Sequence, residues 1–314
     1  MKEDGSAMRV ALNDSIMLML SSRVPEDSEE FGSVAEAWIV DAFASLSTQE
    51  LDPLSCGLDL KGRAGVLRQA GVRYGEPGEL WVTISKYVEF ESRMKVQPWT
   101  KKTWADLLND LREVPAFVEI RASILDGQGF PGNRWMTVSL RREVEVPEWI
   151  TMTVRRDSRV FADPVSGAAA QELWLDFLGR RLDAGTTPLF GSLSDDGDGV
   201  TFRTELEDQS GLFHDETLPV MDRLLRGYSW VTVCSPDVGR QLGGPNDPRV
   251  QEAFFRAEEV AGGALLLRAT QDIRDYGPGD IAAVHGALVD VLPSAPRGGP
   301  VPGRASRIVF GTRT

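Results

Sequence analysis

Apolar positions along this chain follow two periods. The stretch Arg226 to Gly244, RGYSWVTVCSPDVGRQLGG, holds the clearest pattern: Tyr228 to Cys234 is an unbroken aromatic and β-branched run, the signature of a buried strand. Pro236 has no N–H for a ladder, so Ser235 is expected to cap a short helix with Pro236 at its first position, ended by Gly243-Gly244. The helical period recurs in Val34 to Leu46, capped by Ser33 with Glu36 completing a capping box, in Thr100 to Leu111, in the Ser166-capped segment through Arg181, in Thr217 to Leu225 and in Gly279 to Leu292. Strand patterns fall at Arg9 to Leu20, Glu79 to Phe90, Phe117 to Leu125, Arg134 to Leu140, Trp149 to Arg155 and Pro188 to Leu193. Ala257 to Ala261 and Ala264 to Ala269 read as a hairpin across Gly262-Gly263, and Arg307 to Phe310 as a last short strand.

Strands interleaved with helices and hairpins predict an α+β fold with antiparallel or mixed sheets and packed helices. Residues 79 to 193 and 227 to 311 each fit a β-α-β-β-α-β order, which would make two ferredoxin-like modules. A chain of 314 residues exceeds the usual single core. Turn residues and acids concentrate between 195 and 216, which places an N-terminal α+β domain over 1–200 and a C-terminal module over 201–314.

Charge changes the functional picture more than any motif does. A net charge of −13 disfavours a nucleic-acid surface, which needs clustered Lys and Arg. Nine acids crowd one segment: Asp195, Asp196, Asp198, Glu205, Glu207, Asp208, Asp215, Glu216 and Asp222, against Arg203, with Arg223 just beyond. Such a run is either a solvated face or a docking surface for a basic protein partner. The arginines of the last residues, Arg297, Arg304, Arg307 and Arg313, read as a solvated, peripheral tail. Ile16 to Leu20 is too short to cross a membrane, and Cys56 and Cys234 have no metal-ligand spacing, so a cytoplasmic protein is expected.

Candidate chemistry is sparse. His285 falls within a predicted helix, and His214 in an acidic loop beside Asp215 and Glu216. Ser194 to Glu205 partly matches a calcium loop, with Asp196, Asp198, Gly199 and Glu205 at its third, fifth, sixth and twelfth positions. Ser194 stands where a ligating Asp belongs, so the plainer reading is an acidic turn between strands. No phosphate-binding loop or dinucleotide turn appears, and neither metal nor cofactor is expected.

Leu224 to Pro293 resembles a bacterial family of type VI immunity proteins. The residues that carry it are Gly227-Tyr228-Ser229-Trp230-Val231-Thr232, Leu242-Gly243-Gly244, Gly262 through Ala269, and the helix ending Val291-Leu292-Pro293. The resemblance implies a cytoplasmic, non-enzymatic protein that binds and neutralises a cognate toxin. The acids Asp195 to Glu216 would then form its docking face. The alternative is an enzyme or small-ligand binder using Asp195, Asp198 and Glu205 as acid/base groups or metal ligands.

Overall fold

Ser15–Arg23 forms the first strand, β1, and all but its last residue are buried. The structure, a computed structural model, describes residues 9–24, 28–89, 92–143, 146–184, 186–195, 202–212, 214–293 and 305–309. After β1 come α1 (Ser28–Leu46), β2 (Leu80–Tyr87), β3 (Lys95–Pro98), α2 (Lys101–Leu111), β4 (Phe117–Leu125), β5 (Pro131–Arg142) and β6 (Trp149–Asp157). The chain continues through α3 (Arg159–Ala162), α4 (Gly167–Leu182), β7 (Thr187–Ser194), α5 (Glu205–Ser210) and α6 (His214–Thr217). It then runs through β8 (Val231–Cys234), α7 (Pro236–Gln241), α8 (Pro248–Ala253), β9 (Arg256–Glu259), β10 (Leu265–Arg268) and α9 (Pro278–Leu288). The fold is α+β, as the pattern predicts.

Two compact units interleave along the chain. The first comprises Met1–Leu20, Ser158–Gln171 and Thr187–Thr314; the second comprises Ser21–Asp157 and Glu172–Thr186. One boundary near residue 200 does not describe this division.

In the second unit the strand order is β3-β2-β4-β5-β6, antiparallel throughout. Cross-strand register places Ile84, Ile120, Val138 and Val154 in one row, and Thr83, Arg121, Thr137 and Arg155 in the adjacent row on the opposite face. Helix α2 lies on the apolar face, where its Asp110 pairs with the buried Lys86. Thr100 caps α2 reciprocally: Thr103 N donates to Thr100 Oγ1 at 3.0 Å, and Thr100 N to Thr103 Oγ1 at 2.8 Å. Trp38 of α1 is fully buried, 5.0 Å edge-on from Phe177.

Several expectations change here. Helix α1 begins at Ser28, because Glu29 and Glu30 in its first turn suit the positive end of the helix dipole. Ser33 is interior to α1 and donates back to Glu29 O at 2.9 Å, so it is not the cap. The ferredoxin-like order over 79–193 is not what forms: β3 is an added strand, and β4, β5 and β6 follow one another as a meander. A four-residue edge strand ending in Pro98 carries little strand signal.

In the first unit the order is β1-β7-β8-β10-β9. Strand β10 lies between β8 and β9 and runs antiparallel to both, so β8, α7, α8 and β9 form a split β-α-β unit. All four residues of β8 are buried. The strand begins later than its apolar run suggests because Ser229 makes local bonds: its N donates to Thr232 Oγ1 at 3.1 Å and its Oγ to Val231 O at 2.6 Å. Among the described residues no closing strand forms at Arg307: residues 305–309 are irregular, and Phe310 lies outside the described residues.

Candidate functional site

Gly243, Gly244, Gly263 and Leu265, four of the residues quoted for the resemblance, line one groove of the first unit. Ser235 caps α7 as expected, with Val238 N donating to its Oγ at 3.2 Å and Pro236 in the first turn. Gly239 lets the helix lie close on β10, since a Cβ there would stand 3.2 Å from Leu265 Cβ. The chain leaves α7 through Gly243 and Gly244 at φ 82° and 77°, a left-handed conformation that only glycine adopts without strain. Across the gap, Gly262 and Gly263 turn the β9–β10 hairpin at φ 75° and 80°.

Between these turns lies a groove of about 440 Å³, floored by Leu265 and walled by Pro236, Gly239, Gly243-Gly244-Pro245 and Gly263. Two charged side chains flank it, Arg240 and Glu259. Arg240 is paired with Asp237. Glu259 is exposed and makes no ion pair among the described residues. The groove is therefore backbone-lined, apolar at its floor and negative on one side.

Trp230 immediately precedes β8, the strand beside β10. It is 1% exposed and donates from Nε1 to Thr270 O at 2.9 Å. The Arg268 guanidinium stacks between Trp230 at 5.2 Å and Phe255 at 5.7 Å. Burial pushes the Cys234 thiol and the Tyr228 hydroxyl up, keeping both neutral; Tyr228 Oη accepts from Val309 N at 2.7 Å. His285 sits 5.8 Å from the Tyr228 ring, and burial holds its imidazole below the usual range.

Three acids of the acidic segment, Asp195, Glu205 and Glu207, are buried. Asp195 is 2% exposed and accepts from Arg307 at 2.9 and 2.6 Å and from Asn13 N at 3.0 Å. Glu205, also buried, accepts from Arg307 N at 3.1 and 3.0 Å. Arg307 is thus a buried tie and not part of a solvated tail. Glu207 and Arg226 form a wholly buried pair at 2.9 Å. Burial raises the Glu207 carboxyl, yet Arg226, Thr217 and Thr204 N together hold it below the ordinary glutamate range. Asp208 is half-buried beside Arg203, Glu216 is exposed, and Asp222 is half-buried beside Arg223. Asp196, Asp198 and the side chains of Asp215 and His214 lie outside the described residues. Among the described residues no three His, Cys, Asp or Glu gather as a metal site, and no helix is long and apolar enough to cross a membrane.

Charge counting along the chain cannot find Glu207–Arg226 or Asp195–Arg307, because each joins an acid of the segment to a distant arginine. The one local hint is that Arg226 and Arg307 each adjoin apolar runs, where a guanidinium needs a partner.

No family model matches the chain, and no curated protein matches it. One solved structure is similar. It is Pseudomonas aeruginosa T6SS protein PA0821, at 12% identity and a TM-score of 0.46, covering 94% of this chain and 83% of that one. The immunity-family resemblance of Leu224 to Pro293 therefore stands on its motif residues alone.

Proposed function

We propose that this chain is a non-enzymatic, immunity-like binding protein that neutralises a cognate toxin, and that the glycine-lined groove with the adjoining β9 strand is its docking surface. The observation that carries this reading is spatial. Gly243-Gly244 and Gly263, distant in sequence, line one groove together with Leu265 of β10, the strand that pairs with β8. Such a lining offers peptide groups and shape to a partner rather than a nucleophile or a general base. Of the three carboxylates of the enzyme alternative, Asp195 and Glu205 are committed to Arg307, and Asp198 lies outside the described residues. The overall charge of −13 favours a basic partner and speeds its approach.

The test is co-expression with a panel of type VI effector toxins, followed by purification of each pair. Survival of the host with a stoichiometric complex, for one of these toxins, is the expected result. Turnover of a small molecule by the isolated protein, or death of the host with every toxin despite soluble protein, would overturn it.

A further inference from the structure

We propose that the partner is captured by strand addition: an extended segment pairs with the free edge of β9 and sends a lysine or arginine past Glu259 into the groove. This rests on the binding function proposed above and names the chemistry of the bound segment.

Strand β9 closes its sheet. It has β10 on one side and, among the described residues, no strand on the other. An edge strand presents unpaired peptide groups to any extended chain of matching register. The strand is short and carries three charges, Arg256, Glu258 and Glu259, of which the first two pair with each other, but it has no proline or bulge: its four residues pair with β10 in unbroken register, Arg256 with Arg268 through Glu259 with Leu265.

The pleat fixes what an added strand would meet. Ala257 and Glu259 share a face with Leu265 and Leu267, the face on which α7 packs and the groove opens. Arg256 and Glu258 point the other way and pair with each other at 2.6 Å. On the groove side the added strand therefore meets Glu259, an exposed carboxylate with no ion pair among the described residues, while Arg240 is held by Asp237. A basic side chain fits there, and a negative one is repelled. At the other end of the strand Phe255 is 57% exposed, its ring fixed against Arg268, which offers an apolar anchor. An extended segment with one basic and one apolar position matches these features together.

The probe is a random dodecapeptide library displayed on phage and panned on the full-length protein, with the enriched peptide then synthesised. Enriched sequences should alternate β-branched or aromatic residues and share one Lys or Arg. Glu259→Lys should weaken the synthetic peptide by about tenfold or more, Glu259→Gln by less, and Glu216→Lys not at all. All three variants should melt with the parent.

N-methylation of the peptide at alternate residues removes its donors without touching the protein. One phase should abolish binding and the other should spare it, because only one set of peptide groups faces β9. No enrichment, enrichment without a basic residue, or equal effects of both methylation phases would overturn strand addition. The toxin assay separates the two ideas. Neutralisation that survives Glu259→Lys leaves the immunity reading intact and removes strand addition as its mode. Peptide binding without any neutralisation keeps the edge as a peptide site and removes the immunity reading.

Discussion

Glu207 and Arg226 offer the sharpest energetic test, because neither side chain has any exposure. Arg226 donates from Nε to Glu207 Oε1 at 2.9 Å and from Nη2 to Oε2 at 3.1 Å and to Phe202 O at 2.7 Å. Glu207 also accepts from Thr217 Oγ1 at 2.5 Å and Thr204 N at 2.7 Å, so its lone pairs are well used. Removing one partner strands a buried charge, which costs about 3–5 kcal/mol, a large share of the roughly 5–15 kcal/mol that holds a domain folded. Glu207→Gln and Arg226→Met should each lose about that much. Together they should lose about as much as one alone, not the ~6–10 kcal/mol of their sum, because the second change removes the charge left unpaired by the first. The pH dependence supplies a sign. In the parent, Glu207 titrates below its unfolded value, so its contribution is present above that value and is lost as pH falls through the depressed one. In Arg226→Met the lone buried carboxyl titrates above its unfolded value, so stability should rise on acidification through that window. Equilibrium urea unfolding followed by tryptophan fluorescence, near neutrality and near pH 4.5, measures all of this. Single losses under ~1 kcal/mol, additive losses, or an unchanged pH slope in Arg226→Met would refute the reasoning.

Three further outcomes follow from the same structure. Trp230→Ala should cost about 3–5 kcal/mol, since it empties a core site and removes the indole donor to Thr270 O and the ring over Arg268; chemical unfolding checks it. Burial raises the Asp272 carboxyl, but Arg274 and Gln171 outweigh it and hold it at about 2, so its stabilising contribution should persist above the unfolded aspartate value and disappear as pH falls toward 2. Asp272→Asn should remove that part of the acid sensitivity in a pH series of melting curves. Millimolar calcium or a chelator should leave the melting temperature unchanged, because Glu205, the last ligand of the calcium-like loop, is committed to Arg307; a rise of several degrees would restore the metal reading.

What could be read from the sequence divides by range. Local rules sufficed for the Ser235-Pro236 start of α7, for Thr100 at the head of α2 and for the Gly262-Gly263 hairpin, because caps and positive-φ turns depend on a few adjacent residues. They failed at β3, whose Lys95–Pro98 carries neither alternation nor β-branched density and is a strand only because Thr83 through Lys86 lie beside it. They failed again at the acidic segment. Its composition looks solvated, yet Asp195, Glu205 and Glu207 turn inward to Arg307 and Arg226, pairings that depend on the folded topology and not on spacing. The groove was half legible: its glycines stood out as turns, while their meeting across α7 and β10 is a tertiary fact.

The central claim is that the β9 edge and its groove receive the partner. Hydrogen exchange of the full-length protein, alone and in complex with the peptide enriched from the phage library, tests it most directly. Amides of residues 255–260 and 239–246 should slow sharply in the complex, with Asp208 to Asp222 little changed. Protection centred on Asp208 to Asp222, with the β9 edge exchanging as freely as before, would contradict it.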